Sequence, residues 1–209
     1  MPGSKKTNDL TKSEFFIALI LLLSVTPLGY ISLGVISATT IQIPVIIGAV
    51  ILGWKKGATF GAVFGTTSLI LATIRPGPTS FVFSPFVPVF GEEKGSLAAL
   101  LVCFVPRILI GVVAALLFKA LSKTKLRKGM ICSICGFCGS MTNTILVMGG
   151  IYLFFGKSYS AANSIAYETL ITAVMATITG AGLTEALISA AVCGAVCAAL
   201  FKYLQKGKD

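Results

Sequence analysis

The chain contains no histidine. That zero excludes Ser-His-Asp and Cys-His nucleophilic sites, zincin motifs and His-ligated metals. Acids are scarce as well, with seven Asp and Glu against 17 Lys and Arg in 209 residues. Nowhere does Gly-x-x-x-x-Gly-Lys-[Ser/Thr] occur, so the chain has no phosphate loop with which to hydrolyse ATP. Charged residues make up 11% and apolar ones 56%, where average domains run near ~25% and ~45–50%. At a mean hydropathy of +0.94 too little polar surface remains to cover a soluble globule. The composition is that of an integral membrane protein.

What charge there is has a pattern. The formal net charge is +10, but the cations sit in short clusters between long apolar runs. That is how membrane orientation is written, not how nucleic acid is bound. A membrane helix needs about 20 apolar residues. No charge occurs from Phe15 to Trp54, twice that requirement. Pro27, Gly29 and Gly34 divide the run into two helices with an uncharged loop over Pro27–Ala38. Thr11 and Glu14 have capping-box spacing and are expected to open helix 1. Lys55 and Lys56 form a turn, and Gly57–Ile74 is the third span. Arg75–Gly95 contains Pro76, Pro78, Pro85 and Pro88 and cannot be a regular helix. Ser96–Ala120 is the fourth span, Lys123–Lys128 a basic turn, and Gly129–Gly156 the fifth span. Ser158–Ile178 reads either as an outer loop with a helical piece or as part of a span. Gly182–Leu204 is the sixth.

The expected fold is therefore an all-α bundle of six membrane-spanning helices, multi-pass in the cell membrane. Residues 1–12 form a cytoplasmic tail, 13–206 the membrane domain and 207–209 a second tail. With six spans both termini share a side. Thirteen of the 17 basic residues fall on that side; the exceptions are Arg75, Lys94, Arg107 and Lys157. The positive-inside rule places the termini in the cytoplasm.

Ionisable groups inside a membrane are functional candidates by default. Arg107 lies about ~16 Å into helix 4 at 1.5 Å per residue. Glu185 lies just inside helix 6, Arg75 closes helix 3, and Glu168 sits in the ambiguous stretch. All four fall in the outer half. Arg107 and Glu185 either pair with each other or line an outward cavity for a small polar solute. Polar notches favour the cavity: Thr142 and Asn143 (with Thr144) in helix 5, and Thr40 and Gln42 (with Thr39) at the start of helix 2. The phenylalanines of the 81–90 segment, Phe83 among them, are suited with Tyr30 to an apolar lid. Small residues repeat every four positions at Gly57, Gly61 and Gly65, and again at Ala186, Ala190, Gly194 and Ala198. Such stripes let helices approach closely, either within the bundle or against another membrane protein. Cys132, Cys135 and Cys138 have metal-motif spacing, but at i, i+3, i+6 on one helix they do not converge on an ion. They read as packing residues, and no metal or other cofactor is expected.

Several strings match a known family. They are Ala38-Thr-Thr-Ile-Gln-Ile-Pro-Val-Ile-Ile-Gly48, Gly61-Ala-Val-Phe-Gly65, Ser80-Phe-Val-Phe-Ser-Pro85, Pro106-Arg-Ile-Leu-Ile-Gly111, Thr142-Asn-Thr-Ile-Leu-Val-Met-Gly149 and Gly182-Leu-Thr-Glu-Ala186. Over Phe15 to Lys206 the chain resembles the S component, the substrate-binding membrane subunit, of an energy-coupling factor (ECF) vitamin transporter, in its pantothenate-type branch. The resemblance implies capture of a vitamin from outside and docking on a transmembrane T protein with two ATP-binding subunits, followed by toppling of the S component to deliver the vitamin inward. It implies that Arg107 or Arg75 offsets the vitamin's carboxylate while Asn143, Thr142 and Glu185 take its hydroxyls and amide. The family often carries Ala-x-x-x-Ala in helix 1 as a docking motif. Here Ala18 is followed by Leu22, so docking is expected on the Ala18 face or on the Ala186–Ala190–Gly194 stripe. Riboflavin, folate or a thiamine precursor are alternatives to pantothenate, and a stand-alone permease is an alternative to the ECF reading. The single tryptophan, Trp54, disfavours a flavin. A membrane enzyme would need a base or metal set that these residues do not supply.

Overall fold

A backbone in lipid must close its own hydrogen bonds, so uncharged stretches of this length become helices. The computed structural model describes the backbone of residues 2–33 and 36–206, with side chains for 7–29 and 39–203. Tyr30 as a lid side chain and the tail at 207–209 lie outside the described residues. Helix α1 runs Pro2–Val25, α2 Gln42–Leu52, α3 Trp54–Ile74, α4 Ala98–Leu121 and α5 Lys128–Ala162. Then α6 (Leu170–Thr177) passes through a π-turn at Ile178–Gly182 into α7, Leu183–Lys206. Counting α6 and α7 as one, six helices form the bundle among the described residues. Among the described residues, four stretches are long and apolar enough to cross a membrane: Trp54–Ile74, Ala98–Leu121, Lys128–Ala162 and Tyr167–Tyr203.

Several details depart from the sequence reading. Thr11 is not a cap. The helix already runs from Pro2, and the Thr11 hydroxyl donates back to the Thr7 carbonyl at 3.1 Å. The reversal near Lys55 is made by Gly53, whose φ of +88° suits glycine, and both lysines sit in the first turn of α3. The ambiguous 158–178 stretch divides into the end of α5, a turn, and α6.

The largest departure is the second span. α2 has eleven residues, about ~16 Å, roughly half the ~30 Å hydrocarbon core. Where a loop was expected, the chain makes a short 3₁₀ turn (Pro27–Gly29) and an antiparallel hairpin of β1 (Tyr30–Leu33) and β2 (Ile36–Thr39). The hairpin packs on α7 and the π-turn. Non-helical backbone at membrane depth is tolerated only where protein buries it or where it lines a cavity. The hairpin therefore points to the site.

Two apolar clusters hold the bundle. One surrounds α2, where Ile41, Val45 and Ile46 are fully buried among side chains of α1, α3, α4, α5 and α7. The other seats the proline-rich segment. Phe81, Val82 and Val89 pack on Val102 of α4, Met148, Ile151 and Phe155 of α5, and Leu170 of α6. Arg75–Gly95 is thus an irregular but anchored cap, as its prolines require. α3 and α4 approach through glycine. A Cβ on Gly57 would lie 2.8 Å from the Gly111 carbonyl oxygen, and one on Gly61 would collide with the Arg107 carbonyl.

Candidate functional site

A cavity of about 550 Å³ opens where α1 ends, α3 ends and the hairpin returns. Its walls are Ser24, Val25, Thr26 and Pro27, Thr39 of β2, Ser68, Leu71, Ala72 and Arg75 of α3, Phe83 of the cap, and Arg107. Arg75 is exposed at the end of α3. Arg107 is 7% exposed in the middle of α4.

The surroundings of Arg107 explain how a cation is kept there. Its Nη1 donates to the Val102 carbonyl at 2.9 Å. The guanidinium carbon lies 4.7 Å from the centre of the Phe83 ring and 5.6 Å from that of Phe64. Ring faces attract a cation, by ~2 kcal/mol or more once water is excluded. The side chain reaches back toward Val102, five residues nearer the start of α4. It therefore points toward the end of the bundle where Arg75 and Phe83 lie.

Glu185 does a different job. Its Oε1 accepts the Thr39 backbone N–H at 3.0 Å, which ties the returning hairpin strand to the first turn of α7. Thr39 also lines the cavity, so Glu185 stands behind the cavity wall. Thr40 closes the base of the hairpin; its hydroxyl donates to the Leu28 carbonyl and its N–H to the Gly29 carbonyl. Gln42 is fully buried below, and its amide donates to Ser140 Oγ at 2.8 Å and Ser189 Oγ at 3.2 Å. That joins α2 to α5 and α7.

Asn143 sits on the α5 face that meets α4. Gly139, four residues before, faces Ile46 and Ile110, and Gly150, seven after, faces Val102. Helical periodicity puts Asn143 on that same face, between the levels of Ile110 and Val102, which is the level of Arg107. Asn143 Oδ1 and Gln42 Oε1 are buried acceptors without a donor. Thr142 donates to the Cys138 carbonyl at 2.7 Å.

Of the residues singled out from sequence, the structure brings Arg107, Arg75 and Phe83 to one cavity with Thr39. Asn143 and Gln42 lie deeper, and Glu185 and Thr40 secure the hairpin. Ser24, Thr26, Ser68 and Phe64 were not anticipated. The available signal was two small polar residues just before Pro27 and the Thr66-Thr67-Ser68 run in the second half of α3.

The α7 stripe faces inward. Ala186 is fully buried. A Cβ on Gly194 would collide with Ser133 Oγ of α5, and one on Gly136 of α5 would lie 3.0 Å from Ala190 Cα. This face packs within the bundle, whereas Ala18 of α1 is exposed. Cys132, Cys135, Cys193 and Cys197 are buried in the core cluster, and among the described residues no group of ligands is placed to hold a metal.

Comparison with known proteins agrees with this architecture. The sequence model of the family described as ECF transporter, substrate-specific component, matches residues 8–197. The Pantothenic acid transporter PanT of Lactococcus lactis subsp. cremoris is 38% identical over 199 residues, covering 94% of this chain and 95% of that protein. The Pantothenate transporter PanT of Leuconostoc mesenteroides is 32% identical over 158 residues, covering 72% of this chain and 70% of that protein.

Proposed function

The chain belongs to the family of ECF transporter substrate-specific components, and on that premise we propose that it captures pantothenate in the cavity over Arg107. It is a transporter component and not an enzyme, a multi-pass membrane protein that works with an energy-coupling module. The similarity to two PanT proteins supports the choice of vitamin.

The observation that carries the reading is the buried Arg107 in the cavity wall. Pantothenate is a carboxylate at one end, a secondary amide in the middle and two hydroxyls at the other. Arg75 on the rim attracts the anion, and Arg107, shielded from water by Phe64 and Phe83, holds it with charge-assisted hydrogen bonds. Asn143 Oδ1 offers a buried acceptor to a hydroxyl or the amide N–H, with Thr142 beside it. Glu185 holds the hairpin in place as a wall of the site. Flavin fits less well. Trp54 opens α3, and the first α3 residue on the cavity wall is Ser68, so the tryptophan lies ~21 Å along the helix from the cavity at 1.5 Å per residue.

The cavity faces outward and the termini lie in the cytoplasm. The module consists of a transmembrane T protein and two ATP-binding subunits, and Ala18 lies on the face of α1 offered to it. Titration calorimetry on the purified chain in detergent tests the site. Arg107→Ala is expected to weaken pantothenate binding at least ~30-fold, because removing one partner of a desolvated charge contact costs about 2–5 kcal/mol. Unchanged affinity in a folded variant would make Arg107 structural.

A further inference from the structure

Pro106 and Arg107 are adjacent in α4, and the two are mechanically connected. In an α-helix the N–H of residue 106 would bond to the carbonyl of residue 102. Proline has no N–H, and its ring presses on that same carbonyl and tilts it away from the helix axis. The Val102 carbonyl is therefore left without its helical donor inside a buried helix, where an unmet acceptor is costly. It receives a donor from the next side chain, Nη1 of Arg107, at 2.9 Å. Pro106, Val102 and Arg107 are all buried.

We propose that Pro106 is a positioning residue for the binding site, freeing the Val102 carbonyl so that it anchors the Arg107 guanidinium in the cavity wall. The inference rests on the reading of the cavity as the site for an anionic vitamin. An arginine side chain has many rotamers, and fixing it before the ligand arrives removes an ordering cost that would otherwise reduce affinity. The anchor has a direction as well. It draws the guanidinium toward the start of α4, against the face of Phe83 at 4.7 Å, and so to the end where Arg75 and Thr39 line the cavity. The helix gives up one backbone hydrogen bond at Pro106 and gains a fixed cation. A proline kept merely for a bend would act on the site as a whole, through the shape of α4. A proline that positions Arg107 acts on the recognition of charge alone.

That difference sets the test. Affinities are measured by titration calorimetry for pantothenate and for its neutral alcohol analogue, in which CH₂OH replaces the carboxylate. The proteins are the full chain, Pro106→Ala, and Pro106→Val, which keeps the ring's three side-chain carbons. Each is repeated in an Arg107→Ala background. Restoring the N–H at 106 returns the Val102 carbonyl to its helical bond. Pantothenate affinity is expected to fall about ten-fold, the low end for one charge-assisted hydrogen bond. Affinity for the alcohol is expected to hold within two-fold, and thermal stability to stay level or rise. In the Arg107→Ala background the proline substitutions are expected to change neither ligand. Equal loss for both ligands, no loss for pantothenate, or a loss that persists without Arg107 would overturn the inference. A wild-type chain that binds both ligands alike would instead remove the functional reading, since Arg107 would then contribute nothing to recognising the carboxylate.

Discussion

At the scale of single residues, the polar groups inside this bundle divide into those that hold helices together and those that face the cavity. Gln42 belongs to the first kind by its contacts. It donates to Ser140 and Ser189, which sit on different helices, and is fully buried. Gln42→Leu keeps much of the volume and removes the amide that bridges those two hydroxyls. The thermal midpoint in detergent is expected to fall by several degrees, since a lost buried hydrogen bond costs about 1–3 kcal/mol. An unchanged midpoint combined with lost vitamin binding would place Gln42 in the ligand site instead. The sequence shows an amide in a membrane helix and no more. Whether its partners are two serines or a ligand depends on which face of α5 and α7 meets α2, and that is set by tertiary packing. Arg107 was legible because a lone cation in an apolar run is conspicuous whatever surrounds it. Ser24 and Ser68 were not, because small hydroxyls in membrane helices commonly satisfy themselves on the previous turn, as Ser24 does on the Ile20 carbonyl at 2.8 Å.

At the scale of elements, the helices were legible and the hairpin was not. Lipid imposes helix on any apolar run of sufficient length, so charges alone nearly fix the boundaries of α3, α4 and α7. The stretch 27–38 carries glycine, serine and β-branched residues without charge, a composition that serves a loop or a strand equally. What makes it a hairpin is a wall to pack on. A two-stranded ribbon is marginal by itself, and here α7, the π-turn and the Glu185–Thr39 bond support it. Glu185→Ala removes the carboxylate that holds β2 from α7 at Thr39. Amide hydrogen exchange over residues 36–40 is expected to speed up about ten-fold, and pantothenate binding to weaken with it. The alanine variant exchanging at the wild-type rate would show that packing alone holds the hairpin. The small-residue stripes also needed the structure. Spacing establishes that something comes close to Ala186, Ala190 and Gly194, and only the fold identifies it as α5 of the same chain.

At the scale of the whole molecule, charge and cavity lie at opposite ends. α3 begins at Trp54, beside Lys55 and Lys56, and ends at Ile74, beside Arg75 on the cavity rim. α4 likewise has Arg107 within it and Lys119 in its last turn. In the orientation we propose, the positive-inside rule puts the lysine end in the cytoplasm and the cavity against the outside solution. On the proposed reading, filling it needs no energy source, because a buried guanidinium binds an anionic vitamin at equilibrium. Emptying it inward against a gradient does need one. The sequence holds no phosphate loop, and the one acid in the spanning half of α7, Glu185, is engaged with backbone as an acceptor. On the proposed reading energy enters through contact with the module, and the exposed Ala18 face of α1 is the docking surface proposed for it, because Ala186, Ala190 and Gly194 are packed on α5. Proteoliposomes separate the two halves of this argument. Liposomes with the chain alone are expected to bind labelled pantothenate without accumulating it. Adding the energy-coupling module, proposed to be a T protein with two ATP-binding subunits, and internal ATP is expected to produce concentrative uptake. Ala18→Leu, on an exposed position, is expected to leave binding intact and cut ATP-driven uptake about ten-fold or more. Concentrative uptake by the chain alone, without ATP, would show that the molecule powers itself and would reject its dependence on the module.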